Sequence, residues 1–257
     1  MNYFVGIDVG ASTTKAVIID EEKKVLGYSL TYSGADFKAA AEQVFEESQK
    51  KARRDEPAKF VVATGYGRRN VPFADKSRTE ISCHARGSFF YFPHAHTLID
   101  IGGQDNKIIK VNDSGKRTGF KMNRKCAAGT GAFLEEMANR LQIKIEKLNG
   151  LAEKSEKNIQ IGSYCTVFSA TEILTRIREG VEIKDLVKGI FGSVIKRALE
   201  MDPLEGNIVM SGGVVAYNPF LVSMFEKKLG KKIFIPPHPQ LTGAFGAALY
   251  ALEAKGG

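Results

Sequence analysis

A repeated strand–turn–strand pattern is the feature that most restricts how this chain can fold. Residues 3–19 contain two apolar runs joined by the polar turn Asp8-Val-Gly-Ala-Ser-Thr-Thr-Lys15. The pattern recurs at Thr97–Lys110, where Asp100 and Lys107 take the places of the first aspartate and lysine. A recurrence of this kind predicts an internal duplication, each copy beginning with a tight hairpin.

The turns of both hairpins have the composition of a phosphate-binding loop. Small residues let backbone N–H groups point toward phosphate oxygens. An aspartate at a strand end can hold Mg²⁺, through water, and a lysine can reach a phosphate as a point charge. Two such units facing each other would place Asp8 and Asp100 on either side of one Mg²⁺-nucleotide. The first-turn candidates are Gly10, Ala11, Ser12, Thr13, Thr14 and Lys15, and those of the second turn are Gly102, Gly103 and Gln104.

Other residues extend the candidate nucleotide site. Ser211-Gly-Gly213 follows an apolar run and is a third glycine-rich turn, in which Gly212 and Gly213 permit close approach by a nucleoside or phosphate. Gln240 and Gly243 open the last helical segment and are further candidates. Gln104 could orient an attacking water or could satisfy its own turn. Asp8 and Asp100 could likewise be ordinary turn residues.

The periodicity of the remaining chain predicts alternating strands and helices. Further strands are expected near 25–31, 59–63, 118–122, 207–211 and 232–235, and helices near 36–54, 79–91, 130–141, 144–154, 166–179, 183–200 and 240–254. We predict a first lobe over residues 1–95, to which the last helix can return, and a second over 96–257. A helical segment at about 123–200 carries two cysteine stretches.

Two of the three cysteines precede helical patterns. Cys126 lies in Asn123-Arg-Lys-Cys-Ala-Ala-Gly-Thr-Gly131 and Cys165 in Ser163-Tyr-Cys-Thr-Val-Phe168. A thiolate at a helix N-terminus has a lowered pKa and suits a metal or cluster. A four-thiolate iron–sulfur site would need a second copy of the chain. The alternative is that both cysteines are small buried apolar residues. Cys83 is expected to be a packing residue.

Composition restricts the class of protein. The 257 residues are 43% hydrophobic and 26% charged, with net charge +8. These values are typical of a globular protein with a large core. No run is long enough for a membrane span, and three cysteines favour a reducing cytoplasm. The basic runs at 50–54 and 227–232 are interpreted as solvated helix ends. The chain lacks Trp, and its tyrosines are not interleaved with these runs, so we expect no nucleic-acid partner.

The conjunction of these motifs resembles the actin-like ATPase superfamily. Within it, the chain is similar to the activators, or ATP-dependent reductases, of 2-hydroxyacyl-CoA dehydratases and benzoyl-CoA reductases. The similar segments run in order along nearly the whole chain and are 6–15, 63–68, 74–76, 80–85, 99–105, 125–131, 165–168 and 243–248. The chain departs from the usual pattern at Arg124, Ala132 and Ser169–Thr171, which flank the cysteines, and in the turn near Tyr217 and Asn218.

The resemblance implies an α/β, duplicated ribonuclease-H-like, two-lobed fold with mixed sheets. It also implies a homodimer in which Cys126 and Cys165 of each chain hold one [4Fe-4S] cluster. ATP and Mg²⁺ would bind to each subunit, and a ferredoxin or flavodoxin would reduce the cluster. ATP would then drive one electron onto an acyl-CoA dehydratase or reductase component. We expect nucleotide binding to reorient the two helix N-termini against the cluster, which changes its potential.

Two alternatives remain at this stage. A sugar or small-acid kinase of the same superfamily would need a catalytic carboxylate aimed at a substrate hydroxyl, and it leaves Cys126 and Cys165 unexplained. A non-enzymatic, nucleotide-gated interaction protein would be marked by polymerisation or by peptide-stimulated turnover.

Overall fold

The first third of the chain supplies the strands of a five-stranded mixed sheet. The computed structural model describes residues 2–123, 125–162 and 165–254. The strands of this sheet are β1 (Phe4–Val9), β2 (Thr13–Ile19), β3 (Val25–Tyr32), β4 (Phe60–Thr64) and β5 (Lys76–Ser77). Their order is β3-β2-β1-β4-β5. β2 is antiparallel to both β1 and β3, whereas β4 is parallel to both β1 and β5.

The second sheet repeats this topology. Its strands are β6 (His96–Ile101), β7 (Asn106–Val111), β8 (Arg117–Asn123), β9 (Ile208–Ser211) and β10 (Ile233–Phe234). Their order, β8-β7-β6-β9-β10, matches the first sheet strand for strand. β9 is parallel to both β6 and β10. The four-residue connection from β6 to β7 is too short for a parallel crossover, so this pair is a hairpin. The predicted duplication is confirmed, as is the α/β class with mixed sheets.

Nine helices are present among the described residues. They are α1 (Phe37–Ala52), α2 (Glu80–Tyr91), α3 (Gly131–Arg140), α4 (Leu148–Glu153), α5 (Thr166–Arg178), α6 (Ile183–Met201), α7 (Gly213–Tyr217), α8 (Pro219–Leu229) and α9 (Thr242–Glu253). Short 3-10 turns lie at Arg68–Asn70, Ile145–Lys147 and Pro239–Leu241. Side-chain caps fix two helix starts, because Asp36 accepts from Ala39 N and Thr79 from Ser82 N.

The chain forms two compact units. The first contains the described residues of Met1–Ala95, Ile109–Gly119 and Leu241–Gly257, and the second those of His96–Ile108 and Phe120–Gln240. The terminal helix α9 is therefore part of the first unit.

The core of the first unit follows from the alternation of β1. Phe4 packs in a cluster with α9, whereas Val5 and Ile7 pack in a cluster with α1 residues on the other side. Gly6 lies on the α9 side, and a Cβ at this position would overlap the backbone of Ala244 and Ala248. The missing side chain lets α9 lie directly on β1.

The second unit buries a larger, mainly helical core. Residues of α3, α4, α6 and α8 pack with the inward side chains of β6, β7 and β9 in one cluster. The apolar residues at helical spacing after Cys126 belong to this cluster, since Phe133, Leu134 and Met137 are all nearly inaccessible. This burial accounts for the helical periodicity of that stretch.

Helix α5 buries fewer of its apolar side chains than α3 does. Its position is as predicted, but Val167 is 71% exposed and Phe168 68%, and Leu174 is also exposed, while Ile173 is buried. Ser169 and Ala170 face the core instead. Val167, Phe168 and Leu174 thus face outward from the single chain. Arg124, Ser163 and Tyr164, which belong to the two cysteine stretches, lie outside the described residues.

The basic runs end helices, as predicted. Lys50 and Lys51 lie in the last turn of α1, and Lys227 and Lys228 in the last turn of α8, where they complement the helix dipole. Within the described ranges, no helix combines the length and hydropathy needed to cross a bilayer.

We predict that Gly246→Ala destabilises the first unit. The added Cβ would overlap the carbonyl oxygen of Cys83 on α2, and neither helix backbone can yield locally. We expect a loss of about 3 kcal/mol in the free energy of unfolding, measured by chemical denaturation. Gly192→Ala in α6 is the matched control, since its Cβ meets nothing within 4 Å and alanine favours a helix. Equal stability of the two variants would contradict the close packing of α2 and α9.

Candidate functional site

The first glycine-rich turn is closed by backbone hydrogen bonds. Gly10 N donates to Thr13 O over 3.1 Å, and Ser33 N donates to Ser12 O over 3.0 Å. Ala11 is exposed, and Ser12 and Thr13 are half-buried, so these residues can be reached from solvent. Thr14 differs from its neighbours. Its side chain is fully buried, and its hydroxyl shares a hydrogen bond with that of Ser33, so only its backbone remains as a candidate phosphate contact.

Glycines surround the carboxylate of Asp8. Asp8 is the penultimate residue of β1 and is 7% exposed. A Cβ on Gly65 would overlap its Oδ1, and a Cβ on Gly243 would lie 2.8 Å from its Oδ2 and 2.9 Å from His84 Nε2. Gly65 also has φ of +88°, which favours glycine. Gly243 was predicted as a site residue, whereas the approach of Gly65 and His84 was not, because it depends on packing between segments distant in sequence.

The second aspartate has polar partners on both oxygens. Asp100 is the penultimate residue of β6 and is 3% exposed. Ser211 Oγ donates to Asp100 Oδ1 over 2.7 Å, and Lys107 Nζ donates to Asp100 Oδ2 over 3.2 Å. The parallel register pairs Asp100 with Ser211 directly. The same ammonium also binds Asp105 Oδ1 at 2.6 Å. The sequence named Ser211 as part of a turn, but its bond to Asp100 depends on the strand order.

The two equivalent lysines, Lys15 and Lys107, have different partners. Lys107 is 4% exposed and forms ion pairs with two carboxylates. Lys15 is half-buried, and its Nζ donates to the backbone oxygen of Thr13 over 3.2 Å. The Lys15 ammonium therefore lies over its own turn, beside Gly10, where a phosphate could reach it.

The remaining candidates lie in turns of the second unit. Gly212 has φ of +101°, and a Cβ there would overlap the carbonyl of Ile101, so this turn requires glycine. Gly212 N donates to Pro239 O over 3.0 Å, which brings the 3-10 turn containing Gln240 beside it. Gly213 begins α7. In the second hairpin turn, Gly102 and Gly103 are half-buried, and Gln104 is exposed.

Cys126 and Cys165 are exposed, whereas Cys83 is buried. Burial raises the pKa of the Cys83 thiol to about 12, so it stays protonated and is a packing residue. Cys165 is the N-cap of α5, and its carbonyl accepts from Ser169 N over 2.8 Å. The alternative that Cys126 and Cys165 are buried apolar residues is therefore wrong. Within the ranges that the structure describes, no three His, Cys, Asp or Glu side chains converge as a metal site.

Side chains at the two ends of the Cys126 loop donate hydrogen bonds to its backbone carbonyls. Asn123 Nδ2 donates to Cys126 O over 3.1 Å, and Thr130 Oγ1 donates to Ala127 O over 2.6 Å. Thr130 is the N-cap of α3, so the loop leads directly into that helix.

The start of α3 is bonded to the second glycine-rich turn. Gly131 N donates to Gly102 O over 2.9 Å, and Ala132 N donates to Gly103 O over 2.7 Å. The first two N–H groups of a helix have no partner inside it, and here the turn supplies both partners. Backbone hydrogen bonds thus join the candidate phosphate turn to the helix that follows the Cys126 loop.

Comparison with known proteins identifies relatives that match nearly the full length of this chain. The chain is 42% identical over 255 residues to the (R)-2-hydroxyglutaryl-CoA dehydratase activating ATPase of Acidaminococcus fermentans, with 98% of this chain and 97% of the relative covered. It is 40% identical to the 2-hydroxyisocaproyl-CoA dehydratase activator of Clostridioides difficile, with 98% and 96% covered.

Solved structures agree with these relatives. The A. fermentans dehydratase component A superposes with a TM-score of 0.95 at 39% identity, each chain being fully covered. The C. difficile activator with bound ADPNP gives 0.90 at 38% identity, with 98% of this chain and 95% of that chain covered. A ROK family glucokinase from Streptomyces griseus, at 12% identity and a TM-score of 0.60, shares the fold alone. The predicted actin-like and sugar-kinase-like fold is confirmed.

A sequence profile identifies the family to which the chain belongs. The profile described as the BadF/BadG/BcrA/BcrD ATPase family matches residues 5–251, which is nearly the whole chain. Together with relatives at 40% identity or more over their full length, this match shows that the chain belongs to the BadF/BadG/BcrA/BcrD ATPase family.

Proposed function

We propose that this protein is an ATP-dependent one-electron donor that activates a 2-hydroxyacyl-CoA dehydratase or a related acyl-CoA reductase. The observation that carries the proposal is the pair of hydrogen bonds from Gly131 and Ala132 to the carbonyls of Gly102 and Gly103. They join a candidate phosphate turn to a loop with an exposed cysteine. The relatives named as dehydratase activators support the acceptor class.

The two exposed thiols fit an iron–sulfur cluster in ligand type. Cys126 and Cys165 supply soft sulfur donors, each followed by a helix. A [4Fe-4S] cluster takes four thiolates, so we propose that two copies of the chain share one. The cluster would supply one-electron redox chemistry at low potential.

The exposed apolar residues of α5 support a homodimer. Val167 and Phe168 lie two and three residues after Cys165 and are largely solvent-accessible in the single chain. Contiguous apolar side chains of this kind mark interaction surfaces. We propose that they are covered when two chains meet at the shared cluster.

We propose that each chain binds ATP with Mg²⁺. The ADPNP complex of the C. difficile activator supports nucleotide binding. The hard oxygen ligands of Asp8 and Asp100 suit Mg²⁺ held through water. Exposed Gln104 would orient the attacking water. The proposed phosphate and nucleoside contacts are Gly10, Ala11, Ser12, Thr13, the Thr14 backbone, Lys15, Gly102, Gly103, Gly212, Gly213, Gln240 and Gly243.

Nucleotide binding would act on the cluster through α3. A γ-phosphate that shifts the carbonyls of Gly102 and Gly103 must also shift the N–H groups of Gly131 and Ala132 or break their bonds. Either change moves the start of α3 and the adjoining Cys126 loop, which alters the surroundings of the cluster and hence its potential. ATP does this only to the extent that it binds one arrangement more tightly.

The electron would come from a ferredoxin or flavodoxin. The net charge of +8 favours docking of such acidic carriers. All three cysteines are free, which suits the reducing cytoplasm. A kinase of the same fold would leave the exposed cysteines and their link to the phosphate turn without a use.

We predict that Cys126→Ser and Cys165→Ser each abolish cluster binding. Anaerobic reconstitution, followed by iron analysis and native mass measurement, should give one [4Fe-4S] cluster per two wild-type chains and almost no iron in either variant. Cys83→Ala is the control, because its buried thiol should not ligate iron. Iron retained by both serine variants, or a monomeric iron-free wild type, would overturn the assignment.

We predict that Lys15→Met weakens ATP binding at least about tenfold, as measured by calorimetry, because a phosphate loses its cationic partner. Lys24→Met, on the exposed turn before β3, is the charge-matched control and should leave the affinity unchanged. An equal effect of both substitutions would indicate that Lys15 contributes only to net charge.

We predict that Ala132→Pro uncouples the cluster from the nucleotide. Proline is tolerated in the first turn of a helix but has no N–H for Gly103 O. The rate at which a chelator removes iron should differ between ADP and ATP-analogue states of the wild type, and this difference should shrink in the variant. Ala132→Ser keeps the N–H and should behave as wild type. An unchanged difference in Ala132→Pro would remove this route of coupling.

A further inference from the structure

Lys107 occupies an unusual place for a lysine beside a candidate metal site. Its Nζ lies 3.2 Å from Asp100 Oδ2 and 2.6 Å from Asp105 Oδ1, and the residue is 4% exposed. The other oxygen of Asp100 accepts from Ser211 Oγ at 2.7 Å. Both oxygens of the carboxylate are thus engaged by the protein itself.

A buried carboxylate requires such a partner. Asp100 is 3% exposed, and an unpaired ionised carboxylate in this position would carry a large desolvation cost. A cation must therefore be near Asp100 whether or not nucleotide is bound. The lysine ammonium is the cation that the chain itself provides.

The duplication supplies an internal comparison. Lys15 stands at the equivalent position of the first hairpin, but its Nζ donates to the Thr13 carbonyl. The two hairpins therefore have the same sequence pattern, but their lysines have different partners. Lys15 is placed for a phosphate, and Lys107 is placed for a carboxylate.

We propose that Lys107 is the resident counter-ion of Asp100 and that Mg²⁺ with its bound water, arriving with the nucleotide, replaces the Lys107 ammonium beside Oδ2. This inference rests on the proposed use of Asp100 for Mg²⁺. Lys107 keeps a partner after the exchange, since Asp105 holds it at the shorter distance and is itself 24% exposed. The ammonium thus stays beside the second turn, and no buried charge is left unpaired in either state.

In this exchange Lys107 is a positioning residue, because its ammonium determines whether Mg²⁺ can bind at Asp100. Without nucleotide, Mg²⁺ must displace a buried ammonium from Asp100, so the metal alone is a poor competitor. With nucleotide, phosphate oxygens supply the further ligands that Mg²⁺ requires, and the exchange becomes favourable. The site therefore takes up the metal–nucleotide complex in preference to the free metal.

Thermal unfolding of full-length Lys107→Met, with and without Mg²⁺, tests this proposal. The variant leaves Asp100 and Asp105 without their ammonium, so we expect a lower Tm in the absence of divalent cations. Mg²⁺ alone should raise that Tm by roughly 3 °C or more, whereas the wild type should hardly respond. Lys107→Gln, which retains hydrogen-bond donors without charge, provides the same comparison if the methionine variant does not fold.

Two control variants test whether the response to Mg²⁺ depends on Lys107 and Asp100. Lys15→Met removes the equivalent ammonium of the first hairpin and should give no response to Mg²⁺ alone. The double variant Asp100→Asn with Lys107→Met removes the buried carboxylate as well, so the response to Mg²⁺ should largely disappear. Titration with Mn²⁺, followed by electron paramagnetic resonance of the free ion, should show the same order of affinities.

The outcomes separate this inference from the proposed function. If Mg²⁺ with ADPNP stabilises the wild type but Mg²⁺ alone affects it and the Lys107 variants equally, the exchange is wrong and the nucleotide site stands. If Mg²⁺ with ADPNP fails to stabilise the wild type, the nucleotide site and the exchange both fail. A response to Mg²⁺ in Lys15→Met as large as in Lys107→Met would also overturn the exchange.

Discussion

The backbone bonds between the second glycine-rich turn and the start of α3 are the constraint on which the rest of the arrangement depends. They use N–H groups that every helix must leave without an internal partner. Gly102 and Gly103 can serve this role because Gly131, which also lacks a side chain, allows their backbones to approach, with its Cβ position only 3.1 Å from the Gly103 Cα. Backbone hydrogen bonds, without any side chain as intermediary, therefore join the turn to the start of the helix that follows the Cys126 loop.

The duplication explains both the regularity of the fold and the specialisation of its sites. The two sheets have the same strand order, so Asp8 and Asp100 occupy equivalent penultimate strand positions. Their surroundings have nevertheless diverged. Glycines flank the first carboxylate, and a serine and a lysine engage the second. The chain thus has one buried aspartate that is closely packed by glycines and one whose oxygens are engaged by a serine and a lysine.

Much of the fold could be predicted because it depends on local signals. Apolar periodicity located the helices and strands, and the repeat predicted the matching sheets. The buried face of α3 also agrees with the helical spacing of its apolar residues. The exposed face of α5 could not be predicted, because the same spacing describes a helix covered by its own chain or by another. The sequence located the glycine-rich turns, whereas their use as a nucleotide site stays a prediction. The partners of Asp100 and the contact between Gly102 and Gly131 depend on strand order and loop packing, which residue spacing does not encode.

The return of α9 to the first unit has a consequence for biosynthesis. Phe4, Gly6 and the rest of that face of β1 precede the second unit in the chain, yet the helix that covers them is made after that whole unit. A nascent chain must therefore carry an uncovered apolar strand while some two hundred residues are translated. During this interval the emerging first unit is a natural client for a holdase chaperone, and its cooperative folding must wait until α9 has been made.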